Sequence, residues 1–341
     1  MTTTPLPTYT PKDFTSDQEV RWCPGCGDYA ILKAMQKALP NLHTRREDYV
    51  FVSGIGCAAR FPYYMNTYGL HSIHGRAPAF ATGIKLANPN LDVWLVSGDG
   101  DLLSIGGNHT VHTMRRNVDI NILLLNNRIY GLTKGQYSPT SEMGKRTKST
   151  PAGSVDHPVN PLMLALGAGC TFVARSIDID LKHQEQMMLR AAQHKGTALI
   201  EIYQDCNIYN HQSWFYASQK ESRPQNTLLV EHGKPLIFGK SNEKGIRLNG
   251  TRLQVVELGN GTTESDVLVH DETNGPIAFM LAQMAYPQFP EPIGVLYCDQ
   301  TRTPYDVAVH EQVKDVINKR GKGDLNSLLR EGDTWNVMPD G

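Results

Sequence analysis

Two stretches hold residues whose types and spacing can do chemistry. Trp-Cys-Pro-Gly-Cys-Gly, residues 22–27, sets Cys23 and Cys26 in a C-x-x-C. That spacing serves a redox dithiol, or offers two thiolates of a metal site from one turn. The second stretch opens with Gly98-Asp99-Gly100-Asp101 and closes with Asn126-Asn127. A diphosphate with a divalent cation needs a carboxylate, a further oxygen ligand and backbone amides that approach closely. Mg²⁺ takes oxygen ligands in a near-octahedral array and shares that array with phosphates. Gly98 and Gly100 let the backbone turn tightly, and Asp99 supplies the charge. A helix opening just after Asp101 points amide groups at the anion. An ordinary Asp-Gly turn accounts for the first motif alone, but it needs no second motif one strand–helix unit later.

Such residues need elements to hold them. YVFVS (49–53) runs into GIGC, VWLVS (93–97) into GDGD, INILLL (120–125) into NN and ALIEIY (198–203) into QDC. Runs this continuous suit strands covered on both faces of a parallel sheet. Helical stretches at 77–87, 102–116 and 180–194 lie between them. The alternation predicts an open, mostly parallel α/β sheet with helices on both faces. Ligands in such sheets sit beyond the carboxyl ends of the strands, so four unusual strand ends point to one crevice.

The cysteines fit the same frame. Ala30, Ile31, Ala34, Met35, Ala38 and Leu39 recur on one helical face after the C-x-x-C, but no strand precedes it. Residues 1–20 are polar and rich in Thr and Pro, an extended arm, so a thioredoxin-like dithiol loses its scaffold. Cys57 and Cys206 each follow a strand and lie on the ligand-binding rim. Four thiols there suit a Cys₄ zinc site or an iron–sulfur cubane, and the spacing alone leaves both open. Cys170 and Cys298 sit beside apolar runs and read as buried free thiols. The main α/β domain spans 21–220. Residues 221–341 read as a C-terminal extension, too small and polar for an independent domain, that packs on the main body or on a partner.

A formal net charge of −1 gives no polycationic surface, which argues against nucleic acid as a partner. No basic segment followed by an apolar run opens the chain, and no stretch approaches the ~18 apolar residues of a membrane span. The expectation is a cytoplasmic protein. Six cysteines are too sparse for a disulfide scaffold.

The Gly98–Asn127 stretch resembles the thiamine diphosphate motif. That resemblance implies Asp99 and Asn127 as side-chain ligands of Mg²⁺ and the Ile129 carbonyl as a third. GIGCAARFP, HGRAPAFATGIKLANP, NNRIYGLTKGQYSPTSEMG and the leading WCPGCG resemble the β subunits of 2-oxoacid:ferredoxin oxidoreductases, in the right order over about residues 15–240. The later FGKSNEKGIRL is similar to the tail of the two-subunit 2-oxoglutarate type. The resemblance assigns Cys23, Cys26, Cys57 and Cys206 to one 4Fe–4S cluster. It implies a cofactor site formed by Ile55, Gly56 and Cys57, by His74, Gly75 and Arg76, by Gly98, Asp99, Gly100 and Asp101, and by Asn127, Gly131, Leu132 and Thr133.

The implied reaction converts 2-oxoglutarate, CoA and oxidised ferredoxin to succinyl-CoA, CO₂ and reduced ferredoxin, reversibly. Lys134 and Arg76 lie where a charge can meet the anionic oxoacid or CoA. The glutamate that activates thiamine diphosphate is expected on a separate α subunit, in an αβ or (αβ)₂ assembly. Pyruvate or a branched-chain oxoacid is the alternative substrate. A non-redox thiamine decarboxylase and a zinc-stabilised binding module are the readings outside this class. His109 and His112, three apart with no carboxylate partner, read as plain helix residues, and GKRTK (144–148) as a solvated loop.

Overall fold

The computed structural model describes residues 7–339. In chain order the first elements are α1 (Asp28–Ala38), β1 (Tyr49–Ser53), β2 (Tyr68–His71), α2 (Ala77–Ala87), β3 (Asp92–Gly98), α3 (Gly107–Arg116) and β4 (Asn121–Asn126). Next come α4 (Pro161–Gly167), β5 (Phe172–Ile177), α5 (Leu181–Gln193), β6 (Ala198–Tyr203), α6 (Phe215–Ser218), α7 (Arg223–Asn226) and β7 (Thr227–Val230). The remainder holds β8 (Ile237–Phe238), β9 (Lys244–Asn249), β10 (Arg252–Glu257), α8 (Gly275–Ala282), β11 (Glu291–Cys298), α9 (Tyr305–Arg320) and α10 (Leu325–Leu329).

Eight strands form one sheet in the order β2-β1-β3-β4-β6-β5-β11-β7. Successive side chains along a strand point to opposite faces, and both faces are covered. Phe51, Trp94, Leu123, Leu125 and Ile200 pack with Ile31 and Met35 of α1 and Met188 of α5. Val52, Leu95, Ile122, Leu124 and Leu199 pack with Ala77 and Ala81 of α2, Met114 of α3 and Leu162 of α4. Burial from both sides makes β1, β4, β5 and β6 buried along their whole length, which is why β1, β4 and most of β6 read as apolar runs, whereas β5 and β6 also carry the buried Arg175 and Glu201.

The order of the strands makes the site. β1, β3, β4 and β6 are consecutive neighbours and pair in parallel, so their carboxyl ends leave the sheet side by side on one edge. The segments that follow them, at 54–57, 98–101, 126–129 and 204–206, therefore meet at a common rim.

Three features differ from the sequence reading. The helix expected over 102–116 is interrupted: Asp101–Ile105 is a π-helical turn with Ser104 at φ −89°, ψ −106°, and α3 begins at Gly107. The kink lets the His74-Gly75 loop pack against it, since a Cβ on Gly75 would lie 2.5 Å from the Gly106 nitrogen. Beyond residue 220, β7 and β11 enter the main sheet, β11 antiparallel to β5 and parallel to β7. β8, β9 and β10 form a separate antiparallel sheet. In the N-terminal arm, Pro11–Phe14 makes a 3₁₀ turn, and the fully buried Phe14 packs edge-on against Tyr9 and Tyr49. Residues 1–6, and 340–341 at the other end, lie outside the described residues.

Candidate functional site

At the end of β3 the chain turns from Gly98 into Asp99, which is 1 % exposed. Its Oδ2 accepts hydrogen bonds from Ser138 Oγ at 2.5 Å and Thr140 Oγ1 at 2.6 Å. Burial pushes the Asp99 carboxyl above its ordinary value, and the two hydroxyls pull it back. Gly100 has no room for a side chain, because a Cβ would meet the Tyr130 ring at 2.2 Å. The Tyr130 hydroxyl donates to the Gly100 carbonyl at 2.9 Å. Asp101, also buried, accepts from Ser97 Oγ at 2.6 Å and Gly75 N at 2.7 Å, and its Oδ1 lies 2.5 Å from His74 Nδ1. That contact assigns the His74 proton to Nδ1 and leaves Nε2 for a ligand.

β4 ends in the Asn-Asn turn. Asn126 Nδ2 donates to Glu201 Oε1 at 2.7 Å, and Asn126 Oδ1 accepts from Arg128 N at 3.2 Å. Arg128 takes a left-handed conformation, φ +57°. Asn127 Oδ1 accepts from Ile129 N at 3.1 Å, and Asn210 Nδ2 donates to the Asn127 carbonyl at 2.9 Å. Asp99, Asn127 and Ile129 line one crevice of about 190 Å³. Ile55, Gly56, Cys57, His74, Gly98, Gly100, Asp101, Gly131, Leu132 and Thr133 line it too.

Three expected residues stand outside that lining. Gly75 acts from behind, through its amide on Asp101. Arg76 donates to His109 Nε2 at 2.5 Å. Lys134 is exposed, in a left-handed conformation with φ +75°.

The thiols surround a second cavity. Cys26 N donates to the Cys23 carbonyl at 3.0 Å, closing a tight turn in which Gly25 has φ +85°, a conformation that favours glycine. Trp22 Nε1 donates to the Cys57 carbonyl at 2.8 Å and ties the C-x-x-C to the β1 rim. Gln204 Nε2 donates to Cys26 Sγ at 3.3 Å. Cys23, Cys26, Cys57 and Cys206 line a space of about 190 Å³. A Cβ on Gly131 would stand 3.5 Å from Cys206 Sγ and 3.7 Å from Cys57 Sγ, so the bare glycine leaves the space between those sulfurs open. Among the described residues, no three His, Cys, Asp or Glu side chains gather as a ligand set for one metal ion. The thiols frame a volume.

Burial, with Asp28 and Cys206 adding to it, pushes the Cys57 thiol up to about 12. Burial likewise raises Cys26 and Cys206. Cys170 and Cys298 are buried elsewhere, Cys170 donating to the carbonyls of Phe172 and Thr197.

The two cavities share a wall: Asp28, Cys57, Asn127, Gly131 and Leu132 line both. Asp28 is 2 % exposed with no hydrogen-bond partner for Oδ1, and burial pushes its carboxyl up to about 7. Sequence reasoning missed Asp28, Ser138 and Thr140. Asp28 follows the second glycine of the C-x-x-C-G and opens α1; the two hydroxyls sit in YSPTS, whose spacing matches no simple ligand pattern.

Residues 54–202 match the family described as "Thiamine pyrophosphate enzyme, C-terminal TPP binding domain". The 2-oxoglutarate oxidoreductase subunit KorB of Mycobacterium tuberculosis is 52 % identical over 330 residues, covering 96 % of this chain and 88 % of that protein. Subunit beta of 2-oxoacid:ferredoxin oxidoreductase 1 from Aeropyrum pernix is 51 % identical over 189 residues, 55 % of this chain and 59 % of that one. Among solved structures, the 2-oxoglutarate:ferredoxin oxidoreductase from Magnetococcus marinus, with 2-oxoglutarate, coenzyme A and succinyl-CoA bound, superposes with a TM-score of 0.76. The two chains are 31 % identical, and the match covers 96 % of this chain and 98 % of that one.

Proposed function

The chain belongs to the β subunits of the 2-oxoacid:ferredoxin oxidoreductases, and from that membership we propose that it catalyses, with an α subunit, the CoA-dependent oxidation of 2-oxoglutarate to succinyl-CoA and CO₂ with reduction of ferredoxin. The observation that carries the reading is the shared wall. A crevice lined by Asp99, Asn127 and Ile129 adjoins a cavity lined by four thiols, with Asp28, Cys57, Asn127, Gly131 and Leu132 between them. A cofactor that releases electrons and a group that takes them up belong at such a spacing.

The donor sets match two different groups. The crevice offers hard oxygen donors, which suit Mg²⁺ and a diphosphate; the second cavity offers thiols, which suit an iron–sulfur cluster. Asp99, the Asn127 side chain and the Ile129 carbonyl would hold Mg²⁺, and Cys23, Cys26, Cys57 and Cys206 would hold one 4Fe–4S cluster. When bound, thiamine diphosphate supplies the carbon nucleophile of the reaction, and the cluster accepts electrons one at a time. This chain's residues orient and exclude. Asp101 holds His74, a residue of the crevice lining, through Nδ1. Tyr130 covers Gly100 and keeps the backbone at the diphosphate end close.

The acidic side chains in the crevice lining are Asp28, Asp99 and Asp101, so the activating glutamate is assigned to the α subunit, in an αβ or (αβ)₂ assembly. No helix among the described residues is long and apolar enough to cross a membrane, and a cytoplasmic location accompanies the reading. The test is ferredoxin reduction by the purified complex with each oxoacid. Reduction that requires CoA and prefers 2-oxoglutarate is expected. Preference for pyruvate would move the substrate, and no oxoacid-dependent reduction would overturn the function.

A further inference from the structure

Behind the Asn-Asn turn lies a buried charge network that the proposed function does not use. Arg175 on β5 is 3 % exposed, Glu201 on β6 is 1 % and Glu291 on β11 is 3 %. Arg175 Nε donates to Glu201 Oε2 at 2.8 Å, and Arg175 Nη1 donates to Glu291 Oε2 at 2.9 Å. Two hydroxyls complete Glu291: Tyr203 donates to Oε2 at 2.9 Å and Tyr216 to Oε1 at 3.2 Å. The remaining Glu201 oxygen, Oε1, accepts from Asn126 Nδ2 at 2.7 Å. The carboxylates are satisfied, and the link from this network toward the crevice is Asn126.

Stability alone is a poor reason for such a network. Replacing a buried ion pair with apolar groups of similar volume is often neutral or stabilising, whereas only a hydrogen-bonding group can orient a polar partner such as the Asn126 carboxamide. The geometry converges on one turn. Tyr203 stacks on Trp214 with ring centroids 3.5 Å apart, Trp214 Nε1 donates to the Asn126 carbonyl at 2.9 Å, and the Arg128 guanidinium lies 3.5 Å from the Trp214 ring centre. Asn126 Oδ1 caps Arg128 N and lies 2.9 Å from Thr140 Oγ1. The same Thr140 hydroxyl is 2.6 Å from Asp99 Oδ2 and has one proton to give, so Asn126 and Asp99 share it.

We propose that Arg175 is a positioning residue for the cation-binding turn: it holds Glu201, and through Glu201 the Asn126 carboxamide, so that Asn127, Ile129 and Asp99 keep their relative places. This rests on the reading that those three residues hold Mg²⁺. It also gives the C-terminal region a part in the site, because Glu291, which anchors the far side of Arg175, comes from β11.

The test inverts one hydrogen bond. In Glu201→Gln the new amide cannot accept from both Arg175 and Asn126, so one link is lost while Arg175 keeps Glu291. Asn126→Asp sets two carboxylates face to face. In the double variant, the glutamine at position 201 accepts from Arg175 and donates to the new carboxylate at position 126. That restores the chain with its polarity reversed and its charge unchanged. The readout is Mn²⁺ affinity by electron paramagnetic resonance on the complex with the α subunit, at saturating thiamine diphosphate, alongside the melting temperature. Each single variant should weaken Mn²⁺ about tenfold, the lower end for residues that orient metal ligands, and the double variant should recover most of it. Unchanged affinity in both single variants, no recovery in the double, or affinity that simply follows melting temperature would overturn the positioning role. If the wild-type complex shows no cation-dependent thiamine diphosphate binding, the functional reading falls and this inference with it; wild-type binding with unaffected variants removes this inference alone.

Discussion

The crevice and the thiol cavity adjoin, yet the protein holds them in different ways. At the diphosphate motif two buried carboxylates have donors in place: Asp99 has two hydroxyls, and Asp101 has a hydroxyl, an amide and an imidazole. Buried polar groups with their partners made keep their shape without a ligand. On the wall that both cavities share Asp28 Oδ1 has no partner, and in the thiol cavity burial raises the thiols of Cys26, Cys57 and Cys206. Thiols are weak donors and weak acceptors, so they hold each other poorly. The first site has its hydrogen bonds made by the chain itself. In the second, the proposed cluster would replace the thiol protons and supply the organisation.

The sharpest way to break this contrast is at a thiol. Cys206→Ala should abolish cluster iron and ferredoxin reduction in the complex, since a cubane short of one thiolate is exposed and labile. Thiamine diphosphate should still bind, because the crevice is held by its own hydrogen bonds. Loss of both, measured by iron and cofactor content, would merge the two sites into one unit. Asp99→Ala is the reciprocal variant. It should lower thiamine diphosphate affinity by about 100-fold or more while iron content stays at the wild-type level. Wild-type cofactor affinity, read by isothermal titration, would remove Asp99 from the metal.

A smaller effect is expected at the edge of the crevice. Lys134 is exposed and outside the lining, so an anionic oxoacid or CoA would have to bring it inward. Lys134→Ala should lower kcat/KM for 2-oxoglutarate about tenfold more than for a neutral-chain oxoacid, because a pairing partner for the distal carboxylate is lost. Equal losses would shift the residue to CoA or structure.

The smallest effect concerns the shared wall. The folded Asp28 carboxyl sits at about 7, above its ordinary 3.8, because burial disfavours the charged form. The folded state therefore holds this proton more tightly than the unfolded state across that window. Its stabilising contribution is full below 3.8 and is lost as the pH rises to about 7. Asp28→Asn should remove that component, so the melting temperature of the variant falls less than that of wild type as the pH rises toward neutrality. Parallel melting curves would remove Asp28 from the pH dependence.

Much of this was legible in the sequence because the rim is made of strand ends. Apolar runs at 49–53, 93–97, 120–125 and 198–203 mark strands buried on both faces, and the residues after them announce the crevice and the thiols. The register of neighbours was not legible. β11 starts at Glu291, far along the chain from the end of β6 at Tyr203, so nothing local in EPIGVLYC tells that Glu291 meets Arg175. The π turn at 101–105 was hidden for the same reason, since what packs against it is the distant His74-Gly75 loop. Ser138 and Thr140 hold Asp99 across a loop, where spacing carries no period. Arg76 and Lys134 lie beside the motifs but outside the crevice lining, one donating to His109 and the other exposed, so their part in binding an anionic substrate stays a proposal.

The central claim is that one chain sets a thiamine diphosphate site and an iron–sulfur cluster on either side of a shared wall. The direct measurement is metal and cofactor content of the complex purified without oxygen, with the paramagnetic resonance spectrum taken before and after adding 2-oxoglutarate. The account predicts about four iron atoms and one thiamine diphosphate per chain, and a reduced-cluster signal that grows when the oxoacid is added. Zinc in place of iron, or a cluster whose signal ignores the oxoacid while thiamine diphosphate is bound, would contradict it.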